Sequence, residues 1–121
     1  MQEIRVVIVD DDPLVRSALS HFVSRAPEIT VVAQAEDGVE ALTTVEREKP
    51  DVVMMDVQMP EMNGIDCLAA LRAAGSQVAF GFVTSEGSEE MRQRASSAGA
   101  AFLIAKPFTP EAFDDALRSV L

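Results

Sequence analysis

The chain of 121 residues has the length of one domain, and its 48% content of apolar residues is enough to build a buried core. Twenty acidic and ten basic residues give a net charge of −10, which argues against binding of nucleic acids or anionic membranes, because both need clustered Lys and Arg. The single cysteine, Cys67, excludes an intrachain disulfide, and no apolar run could span a membrane, so we expect a cytoplasmic location.

Five short apolar runs, rich in β-branched residues, alternate with longer segments in which apolar residues recur at helical spacing. Runs of this length and composition predict strands that are buried on both faces. In chain order the predicted strands are Ile4–Val9, Ile29–Ala35, Val52–Met55, Val78–Val83 and Phe102–Ala105. Each strand precedes a predicted helix, and the mostly polar segment Ser88–Ala98 gives the weakest helix prediction.

Helix start and stop signals fall between the predicted strands. Asp12-Pro13 and Thr109-Pro110 each place a capping side chain before a proline at the first helical position. Lys49-Pro50, Gly75 and Gly99 are typical of the ends of the second, third and fourth helices. These signals support five helices between and after the strands.

The regular alternation predicts one α/β domain, residues 1–121, with a doubly wound parallel sheet. We expect the flavodoxin-like strand order 2-1-3-4-5, in which ligands bind beyond the carboxyl ends of the strands. The residues at those ends are Asp10-Asp11-Asp12 after the first strand, Asp56 after the third, Thr84-Ser85 after the fourth and Lys106-Pro107 after the fifth.

In this order the first and third strands are neighbours, which brings Asp10 and Asp11 close to Asp56. Three carboxylates in one pocket repel each other unless they are protonated or bridged by a cation. Hard oxygen ligands with room for water suit Mg²⁺, with Mn²⁺ as an alternative. Asp56 could then accept a phosphoryl group as a nucleophile. The metal and Lys106 would neutralise the phosphoryl oxygens, and Thr84 would donate a hydrogen bond.

These residues lie in segments that resemble the signature of response-regulator receiver domains. The segments are Val9-Asp10-Asp11, residues 55–64 with Asp56 in second place, Val83-Thr84-Ser85 and Lys106-Pro107-Phe108. They follow the order and spacing of that family, and the resemblance covers essentially the whole chain. In architecture the chain is most similar to the single-domain chemotaxis regulators of the family.

The resemblance implies that Asp56 is the phosphoacceptor and that the donor is a phosphohistidine of a sensor histidine kinase or phosphotransfer protein. Four groups are implied as Mg²⁺ ligands: Asp10, Asp11, Asp56 and the backbone carbonyl of Gln58. Thr84 would be the switch hydroxyl. Lys106 would contact the phosphoryl group and precede a cis peptide bond to Pro107.

The same resemblance implies a phosphorylated switch with slow self-dephosphorylation, not an enzyme with sustained turnover. Gln58 and Glu86 flank the site, where they would control the access of water. The surface formed by the fourth and fifth strand–helix units would bind a downstream protein or a fused output domain. We expect no direct binding of nucleic acid or membrane. The chain is either a stand-alone regulator or a receiver from a longer protein.

Two positions depart from the family pattern. The switch position, three residues before Lys106, usually holds Tyr or Phe, but here it holds Leu103, with Phe102 displaced to the other face of the strand. The fourth strand carries Gly81 where a branched apolar residue is usual, and glycine weakens a strand and leaves space for its neighbours. Because Leu103 occupies the switch position, a rotating aromatic switch cannot be carried over from the family.

Three other functions fit parts of the pattern. A haloacid-dehalogenase-like phosphatase also uses a nucleophilic Asp and Mg²⁺, but Gln58 replaces the acid that such an enzyme needs two residues after its nucleophile. A flavodoxin-like FMN protein is rejected, because Asp10-Asp11-Asp12 would repel the phosphate. A binding module that is never phosphorylated stays open, although the complete set of Asp and Lys residues disfavours it.

Overall fold

The computed structural model describes residues 3–59, 62–106 and 109–118 of the chain. In order, the elements are β1 (Ile4–Val9), α1 (Pro13–Val23), β2 (Ile29–Ala35), α2 (Gly38–Glu48), β3 (Val52–Met55), α3 (Gly64–Ala73), β4 (Ala79–Thr84), α4 (Glu89–Ser97), β5 (Phe102–Ala105) and α5 (Pro110–Arg118). The five strands form one parallel sheet in the order β2-β1-β3-β4-β5. The predicted flavodoxin-like fold is therefore confirmed.

Two apolar cores lie on the two faces of the sheet. Along β1, Val7 and Val9 join the core beneath α2, α3 and α4, whereas Val6 and Ile8 join the core beneath α1 and α5. All four side chains are fully buried, so each contributes about 1.5–3 kcal/mol of transfer free energy. Cys67 is also fully buried, and burial raises the pKa of its thiol to about 11, so it packs as an uncharged apolar group.

Four predicted strands have the observed bounds, and the fourth differs by one residue. It is predicted as Val78–Val83, but β4 pairs with β3 only from Ala79 onward and continues to Thr84. The apolar side chain of Val78 precedes the ladder, whereas Thr84 still pairs with β5. The pairing of the neighbouring strands therefore decides these bounds.

The helices agree with their predicted start signals. The Asp12 side chain caps α1, because its Oδ1 accepts a hydrogen bond from Leu14 N at 2.9 Å. The weakest helix prediction is also confirmed, and only Met91 and Ala95 are buried in α4, which explains its polar sequence. In the described part of the chain, every helix is too short or too polar to cross a bilayer.

Gly81 and Phe102 lie opposite each other on β4 and β5. A Cβ placed on Gly81 would overlap the ring of Phe102, so the glycine leaves the space that the ring fills. Phe102 packs against the core beneath α1 and α5, whereas Leu103 packs against the core beneath α2, α3 and α4. The side chains of Phe102 and Leu103 therefore point to opposite faces of the sheet, as predicted. Gly81 and Phe102, which both differ from the usual family pattern, pack against each other.

Gly81→Ala is expected to lower the free energy of unfolding by about 1–3 kcal/mol, because the new methyl group overpacks against the Phe102 ring. In a Phe102→Ala background the same substitution should be neutral or stabilising, because the space is then empty and alanine restricts the unfolded chain. Urea unfolding of the four proteins in this double-mutant cycle measures the difference. An equal loss of stability in both backgrounds would contradict this packing.

Candidate functional site

The carboxyl ends of β1, β3, β4 and β5 form one edge of the sheet, and the predicted site residues lie along it. Asp56 N donates a hydrogen bond to Val9 O at 3.1 Å, which places Asp56 beside Asp10. Lys106 N likewise donates to Thr84 O at 2.8 Å. The parallel sheet therefore brings together residues from four separate strand ends.

Three carboxylates meet at this edge. Asp10 is 1% exposed and Asp56 is 8% exposed, whereas Asp11 lies at the surface. One carboxylate oxygen from each residue lies within 4.8 Å of the other two. Burial raises the pKa of Asp10, although the hydrogen bond from Asp12 N–H and the positive charge of Lys106 act in the opposite direction. A cation bound between the three carboxylates would offset their mutual repulsion.

Lys106 is a cation of this site. Its Nζ lies 3.0 Å from Asp56 Oδ2 and 3.2 Å from Asp10 Oδ2, and its side chain is 21% exposed. Burial acts to lower the pKa of Lys106, but the hydrogen bond and charge of Asp56, together with those of Asp10, outweigh it and raise the pKa. The ammonium group is therefore charged at neutral pH and offsets only part of the carboxylate charge.

The donor set fits a hard divalent cation. Carboxylate oxygens are the ligands that Mg²⁺ prefers, and Mn²⁺ accepts the same ligands. Asp11 lies at the surface, so the cluster is open to solvent on one side, and Mg²⁺ usually keeps several water ligands. The oxygens of Asp10, Asp11 and Asp56 could therefore hold such an ion together with water.

Both carboxylate oxygens of Asp56 accept hydrogen bonds. Oδ1 accepts from Gln58 N at 3.0 Å, and Oδ2 accepts from Lys106 Nζ. The turn that follows is closed by Gly64 N, which donates to Val57 O at 2.7 Å. A Cβ on Gly64 would lie 2.6 Å from the Asp56 carbonyl oxygen, so only glycine permits this close approach. The carboxylate is therefore oriented from two sides.

Thr84 ends β4 with its side chain fully buried. Its Oγ1 accepts a hydrogen bond from Glu86 N at 3.2 Å, which leaves the hydroxyl hydrogen able to donate elsewhere. The side chains of Glu86 and Gln58 are exposed. The backbone N–H of each residue donates a hydrogen bond to a side chain of the site, so both residues lie beside it.

Two further predicted positions concern the end of β5. Leu103 is half-buried, and its carbonyl oxygen accepts a hydrogen bond from Arg92 Nη1 of α4 at 3.3 Å. This contact joins α4 to β5, which is the outermost strand on its side of the sheet. The predicted cis peptide bond joins Lys106 to Pro107, and Pro107 lies outside the described residues.

Arg16 belongs to the site, although the sequence pattern did not single it out. Its Nη1 donates a hydrogen bond to the carbonyl oxygen of Asp10 at 2.6 Å. Arg16 stands one turn into α1, where its backbone N donates to Asp12 O at 3.0 Å. The helix dipole disfavours a cation at this end. A basic residue at this unfavourable position, one turn after the acidic cluster, is the sequence signal that could have identified Arg16.

The model of the response regulator receiver domain family matches residues 6–118. The protein-glutamate methylesterase/protein-glutamine glutaminase of Nocardioides sp. is 40% identical over 110 residues, which cover 88% of this chain and 30% of that protein. The uncharacterized transcriptional regulatory protein YxjL of Bacillus subtilis is 33% identical over 117 residues, which cover 97% of this chain and 54% of that protein. The chain thus spans about a third to a half of the length of these relatives.

Solved structures agree with the family match. The chemotaxis protein CheY4 of Vibrio cholerae has a TM-score of 0.86 and 33% sequence identity, and the match covers 98% of this chain and 99% of that chain. The family model and the match to this structure both span nearly the whole of the present chain, whose own strand order is the flavodoxin-like one. The chain therefore belongs to the response regulator receiver domain family.

Proposed function

We propose that this chain is a phosphorylation-controlled switch of a two-component system, in which Asp56 accepts a phosphoryl group. The donor is a phosphohistidine of a cytoplasmic sensor histidine kinase or phosphotransfer protein, and residues 1–121 act as one receiver domain. One observation carries the proposal. Asp56 is grouped with Lys106, 3.0 Å away, and with two further carboxylates whose oxygens lie within 4.8 Å of its own.

Asp56 acts as the nucleophile. A carboxylate oxygen attacks phosphorus, the bond from phosphorus to the donor histidine nitrogen breaks, and that nitrogen keeps the electron pair. The product is an acyl phosphate on Asp56. The hydrogen bonds from Gln58 N and Lys106 Nζ, both at 3.0 Å, hold the carboxylate before the reaction. Less reorientation is therefore needed to reach the transition state.

Lys106 and Thr84 bind the product. The ammonium group of Lys106 neutralises a phosphoryl oxygen, and the Thr84 hydroxyl donates a hydrogen bond to another. Because Glu86 N is bonded to Thr84 Oγ1, a movement of Thr84 toward the phosphate also moves the loop that leads to α4. Phosphate shifts the conformational equilibrium only through such contacts, which differ between the two states.

The site residues also suit the metal dependence that is general to this family. Asp10, Asp11, Asp56 and the backbone carbonyl of Gln58 would hold Mg²⁺, with Mn²⁺ as an alternative. When bound, the ion supplies positive charge that offsets the carboxylates and the oxygens of the incoming phosphoryl group. Asp10 and Asp56 are the buried carboxylates of this ligand set, and Asp11 is the exposed one.

The chain is proposed to lose its phosphoryl group slowly and not to act as a turnover phosphatase. The second residue after Asp56 is Gln58, whose amide cannot serve as a general acid or base. The exposed side chains of Gln58 and Glu86 lie beside the site, where they control the approach of water to the acyl phosphate.

The phosphorylated state is read by the surface of α4, β5 and α5, which includes Leu103. The reader is a separate downstream protein or a fused output domain. A fused output domain is one alternative, because the similar methylesterase and transcriptional regulator are about two to three times as long as the stretch they share with this chain. We expect no direct binding of nucleic acid or membrane by this chain, since its net charge is −10.

The proposal is tested by incubating the chain with acetyl phosphate and measuring its intact mass. One phosphoryl group should be added in Mg²⁺ and none in EDTA. A chain that binds Mg²⁺ but never gains this mass would instead support a binding module that is not phosphorylated.

Mg²⁺ is expected to stabilise the fold by about 1.4 kcal/mol at ten times its dissociation constant, because the ion binds the folded site. Asp11→Asn removes one of three repelling carboxylates, so this variant should melt above the wild type without Mg²⁺ and gain less from Mg²⁺. Melting temperatures in EDTA and in Mg²⁺ measure both effects. Asp114→Asn, at an exposed position of α5, is the control for the change in net charge. A wild-type melting temperature that ignores Mg²⁺ would contradict the metal role.

A further inference from the structure

Every polar group of Asp10 has a partner in the structure. Its backbone N donates to Ala35 O at 3.2 Å, Oδ1 accepts from Asp12 N at 2.9 Å, and Oδ2 accepts from Lys106 Nζ at 3.2 Å. Its carbonyl oxygen accepts from Arg16 Nη1 at 2.6 Å. Arg16 is therefore the residue that fixes the carbonyl end of Asp10.

The carbonyl that Arg16 contacts belongs to the peptide bond between Asp10 and Asp11. Asp11 itself is exposed, and in the described part of the chain its carboxylate makes no hydrogen bond or ion pair. The direction of its side chain therefore depends on its backbone. The guanidinium group of Arg16, a half-buried residue, restricts the rotation of the peptide plane that precedes Asp11.

We propose that Arg16 is a positioning residue, which orients the Asp11 carboxylate toward a divalent cation through the Asp10 carbonyl. This inference rests on the proposed function, because it requires a cation at the carboxylate cluster. A residue that orients a metal ligand typically changes metal affinity by roughly 10–100-fold when it is replaced.

The positive charge of Arg16 and its hydrogen bond to the Asp10 carbonyl should have opposite effects on the Mg²⁺ affinity. A measured affinity therefore distinguishes the two effects. A guanidinium group close to the cluster repels Mg²⁺, so its removal alone would strengthen Mg²⁺ binding. Loss of orientation would weaken Mg²⁺ binding instead. A purely structural role would lower the stability of the fold and leave the Mg²⁺ affinity of the folded protein unchanged.

The test is a double-mutant cycle of Arg16→Met and Asp11→Asn, with the Mg²⁺ dissociation constant measured by calorimetry and the fold checked by circular dichroism. Arg16→Met should weaken Mg²⁺ binding roughly tenfold. In the Asp11→Asn background it should cause no further weakening, because the oriented carboxylate is then absent. Arg94→Met, on an exposed residue in the last turn of α4, is the matched control and should bind Mg²⁺ like the wild type.

An unchanged or stronger Mg²⁺ affinity in Arg16→Met would overturn the proposal, as would an equal loss in both backgrounds. If Arg16→Met does not fold, Arg16→Lys decides, because it keeps the charge without the forked donor and should still bind Mg²⁺ more weakly. A wild-type chain that binds no Mg²⁺ would overturn both the metal site and the role of Arg16. If the wild-type chain binds Mg²⁺ and Arg16→Met binds it with the same affinity, only the role of Arg16 would be overturned.

Discussion

Asp56→Asn is expected to abolish the uptake of a phosphoryl group from acetyl phosphate, whereas the wild-type chain should take up one group per molecule in Mg²⁺. The amide has no ionised oxygen to attack phosphorus, so no acyl phosphate can form. The fold should persist, because the amide oxygen of Asn can still accept the hydrogen bond from Gln58 N. Intact mass spectrometry measures the uptake, and circular dichroism measures the fold.

The matched control for this result is Asp114→Asn, which makes the same chemical change at an exposed position and should be labelled like the wild type. Hydroxylamine should remove the label from the wild type, because it cleaves acyl phosphates. A full label in folded Asp56→Asn, or a label mapped by peptide analysis to another residue, would remove Asp56 from the proposed role.

Lys106→Met is expected to lower the free energy of unfolding by about 1–3 kcal/mol in the absence of Mg²⁺. The substitution leaves the carboxylates of Asp10 and Asp56, which are 1% and 8% exposed, without their common counter-charge. The expected effect is below that of a fully buried pair, because the lysine side chain is 21% exposed. Mg²⁺ should recover more stability in this variant than in the wild type, because the ion then supplies the missing charge.

Urea unfolding with EDTA and with Mg²⁺ measures these differences. Lys49→Met is the matched control, since Lys49 is exposed at the end of α2 and forms its hydrogen bonds with Val45 and Arg5 through its backbone. The same Lys106→Met protein should also show a weaker structural response to beryllofluoride, seen as smaller NMR shift changes in α4 and β5. Unchanged stability in EDTA together with a full response would show that the lysine acts neither on the carboxylates nor on the bound phosphoryl analogue.

Much of the fold could be predicted from the sequence, because buried parallel strands leave a strong local pattern. Strands such as β3 are buried along their whole length, so they read as uninterrupted apolar runs. The bounds of β4 were displaced by one residue, because pairing with β3 and β5 decides whether Val78 or Thr84 joins the ladder. The helix α4 was the weakest prediction, because only Met91 and Ala95 face the core.

The candidate site was predictable in part for the same reason. Once the strand order is known, the residues that follow each strand must share one edge of the sheet, and this placed Asp10, Asp56 and Lys106 together. Their distances and their bonds were not predictable, because these depend on residues as far as 96 positions apart in the chain. The bridge from Lys106 to two carboxylates appears only in three dimensions, whereas Arg16 follows Asp10 by six positions and could have been identified from the sequence.

The amino-acid order alone thus determined which segments are strands, which are helices and which chemical groups stand at the strand ends, since these features depend on neighbours within a few residues. Packing of distant segments decided the rest. It set the burial of Asp10 and made the space at Gly81 fit the ring of Phe102. Burial and hydrogen-bond geometry belong to the folded chain as a whole, because every one of these contacts joins residues that the backbone must first bring within a few ångströms.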